Sequence, residues 1–388
     1  PVSAYTDPMS NNKQDSRPVI VSVAALGTAA ILLFAIMPLI VGGMASRFAL
    51  SDTQSGLVAT AYFVIYALLS LTSPTWVRRL NWRHAAFGAY AVLLVGIALA
   101  VLSASYEQAI VGMAVAGIGA GILFPISLTL ASDTQNTDRT YALKLTAEQL
   151  VPASLLLLIP LLGLGAGLSS ILLLAAATVV VCFLASLAMP ASSPRADNAI
   201  AAASGHAVWG YLGLIALAIN FAGFGGLWVF FERIAVEQGF APDFTNLWLA
   251  VGLITSGLGP LAAAVLADRL GRVLPIVFGT LLALVAVGVL ASGVDQSRYA
   301  LVLFTLPLAY YFAVSYVMAV IAAADTSGKI AGLMAFSLAV GAATGPALFG
   351  MIKDAGGPVL MVMGACILLG GILIVVVAKA ATEPENQE

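Results

Sequence analysis

Two side chains of opposite charge, Lys144 and Glu148, stand four residues apart inside an apolar stretch that reads Arg139-Thr-Tyr-Ala-Leu-Lys144-Leu-Thr-Ala-Glu148-Gln149. On a helix that spacing puts both on one face, close enough to pair. With the helix starting near Arg139, a rise of ~1.5 Å per residue sets Lys144 roughly 7 Å and Glu148 roughly 13 Å along its axis. Three roles are open to such a couple: Glu148 as a protonatable carrier, Lys144 as counter-charge for an anionic ligand, or both as a structural ion pair. Lys ahead of Glu is the weaker order for helical pairing, which argues against mutual neutralisation as the whole purpose. Nearly every other Lys, Arg, Asp and Glu falls in a loop, a tail or the last turn of a helix.

Other chemistry finds little support. The two histidines, His84 and His206, belong to no HExxH pattern, and neither a GxxxxGK[ST] phosphate loop nor a GxSxG nucleophile elbow occurs. Cys182 and Cys366 lie in apolar runs without CxxC spacing and read as small core residues, not as a disulfide or a thiolate metal site. Gly117, Gly119 and Gly121 form a GxGxG string within a long apolar helix, where close helix packing is the expectation. No enzyme, cofactor or metal centre is expected.

The elements that position the charged couple follow from composition. Of 388 residues, 61% are hydrophobic and 9% charged, with mean hydropathy +1.04. Soluble domains carry about 25% charge, so the chain is expected to be an all-α integral membrane protein. A net charge of -2 excludes a compositional case for nucleic acid. A bilayer core needs roughly 20 apolar residues per span, and twelve such runs occur, near 19–45, 53–73, 85–104, 108–131, 139–163, 169–189, 207–231, 245–266, 273–292, 299–323, 329–352 and 358–379. The widest gap, PASSPRADNAIAAASGH at 190–206, divides an N-terminal six-helix bundle (18–189) from a C-terminal one (207–380), flanked by tails 1–17 and 381–388. The residues PVSAYTDP before Met9 read as a fusion or cleavage scar. With the N-terminus inside, twelve Lys and Arg collect on the cytoplasmic side, against Arg47, Arg233, Arg298 and Lys353 outside. Both termini are therefore expected in the cytoplasm, in a bacterial inner membrane.

The halves repeat at an offset near 190 residues: Pro74-Thr-Trp-Val-Arg78-Arg79-Leu80-Asn81-Trp82-Arg83 follows span two, and Ala264-Val-Leu-Ala-Asp268-Arg269-Leu270-Gly271-Arg272 follows span eight. The second segment resembles the G-x-x-x-D-R-x-G-R-R signature of the major facilitator superfamily, with Ala264 for its first Gly. With twelve spans and a central linker, the resemblance covers residues 18 to 380. It implies alternating access between two pseudo-symmetric bundles, and a conformational latch made by Asp268, Arg269 and Arg272. Charge-assisted hydrogen bonds give that latch its mechanical sense; the alternative is a topology anchor. The first-half copy departs from the signature, with Arg78 at the Asp position and Asn81 at the Gly position. Span four has Met113 where many proton-driven members carry Arg, which puts a coupling role for that span in doubt. Span five has Val151-Pro152-Ala153-Ser154 in place of the drug antiporters' glycine-proline signature, whereas span eleven contains Gly341-Ala-Ala-Thr-Gly345-Pro346-Ala-Leu-Phe-Gly350. That segment reads as a hinge or as plain tight packing.

The family places its solute between the halves, against spans one, four, seven and ten. Tyr62, Tyr66, Asn220, Tyr310, Tyr311 and Tyr316, with Lys144 and Glu148, are the expected contacts, although packing explains each aromatic equally well. Trp228 and Trp248 read as boundary anchors. Arg47, Glu232 and Arg233 are expected at an outer gate, while Asp52 and Asp243, each at a helix start, suit N-capping. The expected function is secondary active transport of a small organic solute, anionic or zwitterionic and aromatic, coupled to protons, by a monomer in the lipid bilayer. Alternatives are a drug or metabolite efflux pump of the same fold and a non-transporting membrane receptor.

Overall fold

The computed structural model describes residues 16–135, 137–162, 167–192, 207–323, 330 and 333–380; the side chains of 137, 138, 160, 207, 267 and 268 lie outside that description. The regular structure of the described residues is helical, and twelve helices are long and apolar enough to cross a membrane. Span one comprises Arg17–Ala35 and Met37–Phe48; spans two to six are Asp52–Trp76, Trp82–Leu102, Tyr106–Ser132, Thr137–Leu161 and Leu168–Ala185. Spans seven to twelve are Ala207–Glu237, Pro242–Leu266, Val273–Ala291, Gln296–Ala323, Met334–Asp354 and Val359–Ala380. Large apolar side chains such as Leu68, Val181 and Met361 stand exposed around the perimeter, where lipid is the compatible solvent. With an even number of crossings, residues 17 and 380 share one face, the near face; the turns between spans one and two and between seven and eight form the far face.

Packing repeats at an offset of six spans. Span one packs on four, five and six as span seven packs on ten, eleven and twelve; two meets four as eight meets ten; and three meets four and six as nine meets ten and twelve. Two contacts join the halves most extensively, span two with eleven and span five with eight, and the same operation exchanges them. The sequence repeat thus becomes a pseudo-two-fold arrangement of two six-helix bundles.

Glycines set these close approaches, because helices in lipid associate through van der Waals fit and not by excluding water. A Cβ on Gly117 would strike the Tyr62 carbonyl of span two, and one on Gly119 would sit 2.7 Å from Leu93 of span three. The GxGxG string is therefore a packing device, as expected. Gly341 and Gly345 serve span seven in the same way, against Ala218 and Ala222. Between the halves, Gly56 faces the Pro346 carbonyl and Gly350 faces the Asp52 backbone.

Span one is not the continuous helix expected. It breaks at Ile36, whose φ of -97° and ψ of 10° leave the helical region, before Met37–Phe48 resumes. Pro38 is the cause: it has no N–H for the Phe34 carbonyl and its ring clashes with that group. The indole Nε1 of Trp228 on span seven donates to the Phe34 carbonyl at 3.4 Å. Trp228 is 2% exposed, so it is an inter-half contact and not a boundary anchor. A second correction concerns span two. Its N-cap is Ser51, which accepts from the Gln54 backbone N–H at 3.2 Å, while Asp52 uses its carboxylate elsewhere.

Candidate functional site

Span five runs through the bundle core with Lys144 and Glu148 turned inward, 1% and 3% exposed. Lys144 Nζ donates to Glu148 Oε1, so the pair forms despite the weaker residue order. The ammonium also lies 4.5 Å from the centre of the Phe124 ring on span four, a cation–π contact. Span one makes room through Gly27: a Cβ there would overlap the Glu148 carboxylate and stand 2.9 Å from Lys144 Cε. The small neighbour Ser127 spends its hydroxyl on the Val23 carbonyl at 2.9 Å.

The aromatic residues divide into distinct groups. Tyr66 of span two and Tyr311 of span ten both lie within electrostatic reach of Glu148, so the pair is addressed from both halves. Tyr62 donates to the Ala30 carbonyl at 2.9 Å and packs 6.2 Å from the Tyr66 ring. Tyr310 stacks on Phe224 at 4.1 Å, and its buried hydroxyl has no hydrogen-bond partner among the described residues. Tyr311 lines a void of about 10 Å³ together with Phe34, Gln149, Phe224, Trp228 and Ser256. That void admits roughly one water.

Two expected contacts point elsewhere. Asn220 Nδ2 donates to the Ile367 carbonyl at 2.8 Å, and Gly370 packs on its Cβ, so Asn220 ties span seven to span twelve. Tyr316 donates to the Ala263 carbonyl of span eight at 3.3 Å, below the centre. An asparagine or tyrosine in mid-span looks the same in sequence whether it faces a cavity or a neighbouring carbonyl.

At the far face a charged network joins the halves. Asp52 receives Arg233 at 3.1 Å and Lys353 at 3.4 Å, and Lys353 also pairs with Glu237. Asp354 accepts from the Asp52 and Thr53 backbone N–H groups at 3.0 and 2.8 Å, capping span two from span eleven. Deeper along the same contact, Thr60 donates to the Ala343 carbonyl at 2.6 Å. Arg47 stays within its own half, donating to the Val101 and Ser103 carbonyls at 3.0 and 2.7 Å. Glu232 pairs with none of these bases among the described contacts and packs on Gly42 instead. Sequence reasoning missed Lys353, Glu237 and Asp354, although Asp354 beside Lys353 at the end of an apolar span was a usable signal.

At the near face, the signature loop is described in part. Arg272 donates to the Ala319 carbonyl of span ten at 3.4 Å and Arg269 is exposed, while the Asp268 side chain lies outside the described residues. In the first-half copy, Arg78 at the Asp position pairs with the buried Asp133 at the end of span four, at 3.2 Å.

Comparison with known proteins adds two findings. The family model described as Major Facilitator Superfamily matches residues 21–211. A crystal structure of a bacterial homolog to the human lysosomal transporter Spinster, inward-facing and unoccupied, superposes with a TM-score of 0.64 at 13% identity, covering 94% of this chain and 96% of that one. At that identity the likeness speaks for the fold alone. No curated protein sequence matches.

Proposed function

The chain belongs to the major facilitator superfamily and is a secondary transporter, and from that premise we propose that it carries a small organic anion or zwitterion together with protons through the Lys144–Glu148 pair. The observation that supports this reading is a buried ion pair on span five, with Tyr66 of one half and Tyr311 of the other within electrostatic range of its carboxylate. Proton and solute are linked through the pair. While Glu148 is ionised it occupies Lys144 Nζ. A proton on Glu148 removes that partner and leaves the ammonium, held over Phe124, free to take a carboxylate from the solute. Loss of the proton restores the pair and expels the anion. Binding one without the other leaves an uncompensated buried charge, which is costly, so the two travel together. Tyr66, Tyr310 and Tyr311 supply the aromatic wall, with the Tyr310 hydroxyl as a free hydrogen-bonding group.

Alternating access follows from the pseudo-two-fold arrangement, the bundles 18–189 and 207–380 rocking about span contacts two–eleven and five–eight. Asp52, Arg233, Lys353, Glu237 and Asp354 form the far gate, and Asp268, Arg269 and Arg272 the near latch. The excess of basic residues on the near face supports a cytoplasmic near face in a bacterial inner membrane, with the chain acting as a monomer. Uptake by proteoliposomes tests the reading on a panel of aromatic carboxylates and amino acids, with benzoate and tryptophan among them. Accumulation of at least one solute under an imposed inward proton gradient, lost in Glu148→Gln, is the expected result. Uptake indifferent to the gradient in both proteins refutes proton coupling.

A further inference from the structure

Among the described residues a cavity of about 460 Å³ opens at the far face, between the end of span one, the start of span six and the turn joining spans seven and eight. Its volume falls in the range of organic-ligand sites, unlike the void at the centre. Leu39, Val236 and Phe240 give it an apolar wall, and Glu232, Thr245 and Asn246 a polar one. Glu232 is the unusual member. Its carboxylate lies against Gly42, where a Cβ would overlap it, and its Oε2 has no hydrogen-bond partner among the described residues.

The terminal nitrogens of the bases near Glu232 are engaged elsewhere, although Arg233 Nε has no hydrogen-bond partner among the described residues and its charge acts on Glu232. Arg233 reaches Asp52 at 3.1 Å, and Lys353 divides between Asp52 and Glu237. Arg47, on the wall of the same cavity, gives both terminal nitrogens to the carbonyls of Val101 and Ser103. Tyr299, within electrostatic reach of Glu232, donates its hydroxyl to the Phe231 carbonyl at 3.0 Å. Asn246, 2% exposed, independently leaves its Nδ2 without a partner. A part-buried carboxylate with one oxygen unpartnered and no salt bridge among the described residues is incompletely satisfied, and a cation arriving through the cavity relieves it.

We propose that this far-face cavity binds organic ammonium ions, with Glu232 as the anionic anchor and the apolar wall taking the hydrocarbon part. The ammonium N–H groups donate to the Glu232 carboxylate, and the Asn246 amide donates to an acceptor on ligands that carry one. The site is separate from the Lys144–Glu148 pair and does not rest on the proton-coupling reading.

The test is calorimetric titration of the purified full-length chain at neutral pH with phenethylammonium and with its uncharged counterpart 2-phenylethanol. The ammonium is expected to bind at least tenfold more tightly. Glu232→Gln removes that preference, Glu232→Asp retains it, and Glu148→Gln leaves it intact. Equal binding of the two probes overturns the proposal, as does a preference that survives Glu232→Gln or vanishes in Glu148→Gln. A readout on the unaltered protein guards against misfolding of the variant. Mass spectrometry after dicyclohexylcarbodiimide treatment is expected to show labelling of Glu232 slowed about tenfold by phenethylammonium and unaffected by the alcohol. Unchanged labelling overturns the site.

Discussion

Replacing Lys144 and Glu148 singly and together measures whether they act as one unit. At 1% and 3% exposure the pair is out of water. Two unit charges ~4 Å apart attract by about 4 kcal/mol at an effective dielectric near 20. Removing one partner of a buried pair typically costs about 3–5 kcal/mol, because the survivor is left without compensation, whereas replacing both by neutral groups of similar volume is often close to neutral. Lys144→Met and Glu148→Gln are each expected to destabilise by about 3 kcal/mol and the double variant by less than either, a coupling of more than about 3 kcal/mol. At roughly 2–4 °C per kcal/mol for chains of some 200 residues, and less for longer ones, each single variant should lose about 5 °C in Tm and the double should regain most of it. Thermal unfolding in detergent, followed in a Cys366→Ser background by reaction of a thiol dye with the buried Cys182 as it becomes exposed, gives the four values. Single-variant losses that simply add, within about 0.5 kcal/mol, would show that the two charges do not depend on one another.

Two further predictions concern other parts of the bundle. Asn220→Ala removes the donor to the Ile367 carbonyl and is expected to destabilise by about 1–3 kcal/mol while leaving the KM for a transported solute unchanged; a raised KM at unchanged stability would return Asn220 to the solute site. Gly56→Leu drives a side chain into the Pro346 backbone, and Asp354→Asn weakens the cap on span two. Both should open the far side, raising the reaction of a Thr60→Cys thiol with an impermeant maleimide severalfold; equal reactivity in the three backgrounds would contradict the gate.

The fold was legible because it rests on long-range regularities of composition. Twelve apolar runs, the wide gap at 190–206 and the repeated loop around Arg79 and Arg269 each reflect a constraint that lipid imposes on the whole chain. The Lys144–Glu148 pair was legible for the same reason, since a charge deep in an apolar run stands out. The failures are local. Pro38 was visible, but its consequence, a freed Phe34 carbonyl met by Trp228, depends on a helix that arrives nearly 200 residues later in the chain. Asn220 and Tyr316 were placed at the centre because depth can be read from position along a span, whereas the direction of a side chain depends on which neighbour supplies an acceptor. The far-face contacts across the halves include Arg233, which the sequence singled out there, and Lys353 and Asp354, which it did not, because pairing across halves is set by the two–eleven contact, which no local pattern encodes.

Proton movement driven by solute is the most direct test of coupling at span five. Proteoliposomes holding a trapped pH-sensitive dye, with no initial pH gradient, receive a transported aromatic carboxylate from outside. The intact protein is expected to acidify the lumen as anion and proton enter together, and Glu148→Gln is expected to leave the dye signal flat while the purified variant stays folded. Acidification at the normal rate by Glu148→Gln would contradict the assignment of the proton to that carboxylate.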